Sequence, residues 1–105
     1  MPEPTCGAQG KPECPLQRWM DHHLNGPLSR AEYPALEQGF HDLAQVAPAS
    51  FTGWNAWAQG GAAAANHRDH DGISKACKGC HEGYRERYRK TMRDHPIAGS
   101  DTTRP

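Results

Sequence analysis

The sequence predicts an all-α chain, an antiparallel bundle of four helices. Three observations carry this. β-branched residues are scarce, with one Val and two Ile in 105 residues, and no strand signal appears. Apolar residues recur at helical i, i+3, i+4, i+7 spacing in four stretches. Short connections marked by Pro and Gly separate those stretches, which favours antiparallel neighbours.

The first helix begins at Cys14-Pro15, where Pro15 occupies a first turn that tolerates its missing N–H. Its stripe is Leu16, Trp19, Met20, His23 and Leu24, and Asn25-Gly26-Pro27 is expected to stop it. Ser29-Arg30-Ala31-Glu32 has the form of a capping box, but Pro34 lies too deep for a helix starting there. The second helix is therefore expected over 34–46, with Leu36, Phe40, Leu43 and Val46 inward and Ala47-Pro48 at its end. Ser50 can cap a third helix over 51–66. Its inward face would be Trp54, Trp57 or Ala58, Ala62 and Ala65. Gly53, Gly60 and Gly61 weaken it, so its stability must come from packing. Asp71 can cap a fourth helix over 72–93, with the stripe Ile73, Cys77, Cys80, His81, Tyr84, Tyr88 and Met92 turned inward. Pro96 stops it, and 96–105 read as a disordered tail. The bundle is thus placed at 14–95, behind a loop over 1–13.

Large apolar residues are few: five Leu, two Ile, one Val and two Phe, against fourteen Ala and eleven Gly. Such a chain reads as disordered when it is also highly charged, but twelve Lys+Arg balance twelve Asp+Glu here. The composition fits a chain that folds around an apolar body it does not encode. Zero net charge argues against general nucleic-acid binding. No apolar run is long enough for a membrane span. Met1-Pro2-Glu3-Pro4-Thr5 has neither a basic nor an apolar signal region, so the chain is expected to be cytosolic or the mature form of an exported protein. Charge is uneven along the chain: residues 72–93 hold seven bases and two acids. Arg85, Arg87, Arg89, Lys90 and Arg93 read either as a solvated helix face or as an electrostatic surface for a protein partner or for the carboxylates of a cofactor.

The four cysteines fall in two pairs. Cys77-Lys78-Gly79-Cys80-His81 is C-x-x-C-H, the attachment motif of c-type haem. Two thiols at this spacing can add to the two vinyl groups of one porphyrin, and the next residue carries an imidazole towards the iron. A thioredoxin-like redox pair would need a neighbouring strand, and none is foreseen. His67, His70, Cys77 and Cys80 form an alternative zinc set of acceptable ligand types, though the seven-residue gap from His70 to Cys77 is short. Cys6 and Cys14 flank a loop rich in Gly and Pro that a disulfide can close. A disulfide and covalent haem both point to an oxidising, periplasmic compartment.

C-x-x-C-H on a C-terminal helix, followed by Tyr84-Arg85 after two residues, resembles the class II cytochromes c, the cytochrome c-prime-like four-helix bundles. The resemblance covers roughly 14–95. It implies thioethers at Cys77 and Cys80, His81 as proximal ligand, and Arg85 beside the proximal face. The chain departs from the family in its short first helix and in the Cys6/Cys14 loop. Whether it is a monomer or a homodimer stays open.

In that family the first helix covers the distal face. Here it offers Met20 as sixth ligand, with His23 one turn on as the alternative. A thioether ligand raises the reduction potential, and two histidines lower it. His22 points about 100° away from His23 and reads as a surface residue. His41, His67, His70 and His95 read as solvated, and Trp19, Trp54 and Trp57 as core aromatics packed on the haem or on one another. The expected function is a periplasmic monohaem electron carrier with His81/Met20 ligation that exchanges one electron with larger redox proteins. The alternatives are a five-coordinate protein that binds or senses NO or CO, and a haem-free zinc bundle. No catalytic constellation is present, so no catalysis beyond electron exchange is expected.

If a porphyrin replaces the missing aliphatic core, the haem-free chain should be largely unfolded. Circular dichroism of protein made without haem attachment should show little helix and no cooperative melt. Full helicity with a cooperative transition would contradict this reading of the composition.

Overall fold

The structure is a computed structural model that describes residues 6–93 and Ile97. The expected tail over 96–105 and the solvation of His95 lie outside the described residues, Ile97 apart. The described residues are helical and contain no strand. The elements are α1 (Pro15–Met20), a π-helical turn (Asp21–Asn25), α2 (Gly26–Ser29), α3 (Tyr33–Gln45), α4 (Trp54–Asn66) and α5 (His70–Thr91).

The first helix does not stop at Asn25-Gly26-Pro27. It continues through the π turn into α2. Gly26 N–H reaches five residues back to the carbonyl of Asp21, and Pro27 falls at the start of α2, where no N–H is required. The run ends instead at Ala31, which adopts left-handed backbone at φ 54°. Ala31 N–H donates to Leu28 O and Glu32 N–H to Pro27 O, the two bonds of a Schellman cap on a residue other than glycine. Arg68 ends α4 the same way, with φ 56° and bonds from Arg68 N–H to Ala65 O and Asp69 N–H to Ala64 O.

The other boundaries shift by a few residues. α3 starts at Tyr33-Pro34, close to expectation. α4 starts at Trp54 rather than Phe51. Its N-cap is Gly53 at φ 91°, and Ser50 caps nothing. Left-handed backbone there suits glycine, and a Cβ would also collide with the Tyr84 hydroxyl. The cap of α5 is Asp69, not Asp71: its carboxylate accepts from Gly72 N–H at 3.0 Å.

α3 packs on α4 and α4 on α5, while the first helical run meets α3 through the π turn and α2. The core between them is Leu36, Phe40, Leu43, Trp54, Ala58, Ala62, Ala65, Ile73 and Tyr88, with Phe51 from the loop. Ala58, not Trp57, takes the inward position, and Trp57 is 41% exposed. Small residues on α4 let the ring of Phe40 lie directly on Gly61. Buried Trp54 ties α4 to the end of α3 by donating from Nε1 to Leu43 O at 3.1 Å. The α1 backbone lies further out, with none of its α-carbons within 8 Å of one in α3, α4 or α5, and the helix joins the core through the buried Leu16 and Trp19 side chains.

Adjacent glycines in α4 should respond oppositely. A Cβ on Gly61 would collide with the Phe40 ring, whereas one on Gly60 meets nothing within 4 Å. Gly61→Ala should lose about 1–3 kcal/mol to overpacking, and Gly60→Ala should gain about 0.5–1 kcal/mol from helix propensity. Thermal melts of the two variants read both signs.

Candidate functional site

The space between α1 and α5 is a cavity of about 480 Å³, within the usual range of ligand and cofactor sites. Its walls come from both sides. The first helical run contributes Leu16, Gln17, Met20, Asp21, Leu24 and Asn25. These recur every four residues, the spacing of neighbours on one helix face. The π turn lies along this wall and carries Leu24 and Asn25.

α5 contributes Cys77, Cys80, His81, Tyr84 and Arg85 to the opposite wall. Cys77 and Cys80 are free thiols, half-buried, and about 4.5 Å apart along the helix axis. His81 is exposed at the cavity rim rather than turned into the core, because no helix packs against this face of α5. Met20, half-buried on α1, lines the same cavity from the other side.

Burial pushes both thiols up, Cys80 to about 11 with help from Cys77. That is the reverse of the electropositive setting that activates a redox or metal-binding thiolate. His81 is pushed below its ordinary value, first by desolvation and then by the Arg85 guanidinium. Its neutral imidazole, the metal-ligating form, is favoured.

Tyr84 has two contacts. It lines the cavity, and its hydroxyl donates to Thr52 O, which fastens the α3–α4 loop to α5. Trp19 and His23 lie elsewhere. Trp19 is buried, and the His23 ring stacks on it at 4.7 Å. Neither is among the cavity-lining residues. The zinc set is not gathered. His67 and His70 are exposed where α4 meets α5, and Cys77 lies about 10 Å along α5 from His70. Among the described residues no three His, Cys, Asp or Glu side chains come together to hold a metal. His22 and His41 are exposed, the latter 3.7 Å from Glu37.

The sequence reading did not foresee Gly79 and Trp57 as a pair. A Cβ at Gly79 would run into the Trp57 ring, so the indole covers the backbone between the two cysteines. The signal was a glycine inside a helix, where it costs stability unless something approaches closely.

The basic run divides. Arg87 packs over Phe51 at 4.1 Å and donates to Ser50 O at 3.2 Å. Lys90 pairs with Glu86 at 3.2 Å on the exposed side. Arg85, Arg89 and Arg93 line the cavity.

The Cys6–Cys14 disulfide is formed, and its loop is tightened by bonds from Gly7 N–H to Pro12 O and Lys11 N–H to Ala8 O. Gly7 and Cys14 close one end of the cavity. No family profile, curated protein or solved structure matches the chain. No described helix is long and apolar enough to cross a membrane.

Cys6→Ala/Cys14→Ala should destabilise the protein by about 2–3 kcal/mol, the loop-closure entropy of so short a link. A thermal melt should show the loss, and reductant should reproduce it in the parent chain.

Proposed function

We propose that this chain is an exported monohaem c-type cytochrome, a one-electron carrier whose iron is held by His81 and Met20 on an antiparallel four-helix bundle of the class II type. The observation that carries this is a shared cavity: C-x-x-C-H lines one wall and Met20 the other.

The residues present fit a haem. Two protonated thiols border an apolar space, and the imidazole beside them favours its neutral form. Two buried polar atoms on cavity-lining residues, Tyr88 Oη and Arg93 Nε, have no hydrogen-bond partner among the described residues. Haem supplies reversible one-electron iron chemistry when bound. Cys77 and Cys80 would hold it by thioethers, His81 and Met20 would ligate the iron, and Arg85 would bias the charge beside His81. Leu16, Leu24, Phe40, Leu43 and Ala58 would give the ring an apolar bed. The Cys6–Cys14 disulfide supports the periplasmic placement. Larger redox proteins are the partners this role requires.

A second reading draws on the same wall. Leu16, Leu24 and Phe40 line the cavity beside Met20, and apolar cover at the iron would leave a sixth position open to NO or CO.

The visible spectrum separates the two. The ferric holoprotein should show the iron–thioether charge-transfer band, and the ferrous form should keep its Soret band under CO. Met20→Ala should abolish the first and admit CO. A parent protein without the band, or a variant that keeps it, removes Met20 from the iron.

A further inference from the structure

Beyond His81 a second set of side chains lines the cavity: Arg85, Tyr88 and Arg89 from α5, and Arg93 from the turn two residues past its end. Helical spacing places Arg85, Tyr88 and Arg89 on one face over about 6 Å of helix, and Arg93 follows in the turn that lines the same cavity. All carry hydrogen-bond donors, and three are permanent cations.

This ridge differs from the rest of the helix. On the outer face Lys78 meets Glu82 at 4.0 Å and Lys90 meets Glu86 at 3.2 Å, each four residues apart. On the cavity face Arg85, Arg89 and Arg93 also stand four apart, and none forms an ion pair among the described residues. Like charges at that spacing on a helix, here Arg85 and Arg89, oppose one another by a few tenths of a kcal/mol. Among the described residues Asp21 is the one carboxylate lining the cavity, and it accepts from Asn25 at 2.7 Å.

The far end of the ridge is built rather than loose. Gly7, in the disulfide loop, sits against Arg93: a Cβ there would be 3.4 Å from Arg93 Nη2 and 2.9 Å from Cys14 Sγ. Gly7 holds left-handed backbone at φ 74°. Cys6 Sγ lies 3.6 Å from the Arg93 carbonyl. The Arg93 Nε and Tyr88 Oη atoms are buried and unpartnered among the described residues. Unpaired guanidiniums and orphaned donors at the wall of one cavity call for an anionic acceptor. A planar guanidinium fork matches a carboxylate.

We infer that Arg89 and Arg93, with the Tyr88 hydroxyl, form the carboxylate-binding end of the cavity and hold the propionate groups of the haem. This rests on the haem reading above. Arg85 keeps its separate place beside His81. The disulfide loop acts as a backing plate that fixes Arg93. Arg89 and Arg93 are thus positioning residues for the cofactor, and the Cys6–Cys14 link bears on cofactor placement as well as on stability.

The test uses the mature holoprotein. Arg89→Gln, Arg93→Gln, the double variant and Tyr88→Phe are compared with Arg87→Gln, whose guanidinium packs on Phe51. A pyridine haemochrome assay reads covalent haem, and resonance Raman reads the propionate-bending bands. The bands should fall in frequency in each single variant at Arg89 or Arg93 and furthest in the double variant. Tyr88→Phe should lower them too, and Arg87→Gln should leave them unchanged. The iron-ligand spectrum should be the same throughout. Unchanged bands in the haem-loaded double variant would overturn the inference while leaving the haem reading intact. A parent chain without covalent haem would overturn both.

Discussion

The backbones of α1 and α5 stand more than 8 Å apart at every α-carbon, and a lined cavity lies between them. α3, α4 and α5 pack closely because Gly61, Ala58, Ala62 and Ala65 allow it. α1 reaches the core through the buried side chains of Leu16 and Trp19, and is tethered by its continuation through the π turn and α2 onto α3 and by the disulfide loop ahead of it. A chain with ten large aliphatic or Phe residues cannot fill both spaces. It fills one with Leu36, Phe40, Trp54 and Ile73 and leaves the other as a lined cavity.

The same constraint explains the local irregularities. The π turn carries Leu24 and Asn25 along the same wall as Met20. Gly79 admits the Trp57 ring over the backbone between the cysteines. Gly53 lets Tyr84 reach the α3–α4 loop, which fixes the part of α5 that follows His81. Each feature weakens a helix or a turn taken alone, and each shapes a wall of the cavity.

Much of this was legible in the residues. The 3.6-residue stripes located the first, second, third and last long helical stretches but not α2, and both the disulfide loop and the Pro34 start followed from local chemistry. The end of the first helix was not legible, because Asn25-Gly26-Pro27 carries the marks of a stop and only tertiary packing makes it a change of helix type. Ala31 and Arg68 end helices in left-handed backbone without the glycine that would announce it. For the site, the motif Cys77-x-x-Cys80-His81 and the stripe residue Met20 could be named in advance, since both depend on spacing. Trp19 and His23 share that stripe, and periodicity could not separate the wall of a cavity from the side of a helix. The four-residue spacing of Arg85, Arg89 and Arg93 was visible too, but its meaning depends on which face borders empty space.

The proposal that this cavity holds a tetrapyrrole bound to α5 stands or falls on one observation. The chain, exported together with a haem-attachment system, should be purified and its intact mass measured under denaturing conditions. The account predicts a gain of one haem that survives denaturation and is lost in Cys77→Ala/Cys80→Ala. A parent chain at its bare polypeptide mass, with both thiols open to alkylation, would contradict it.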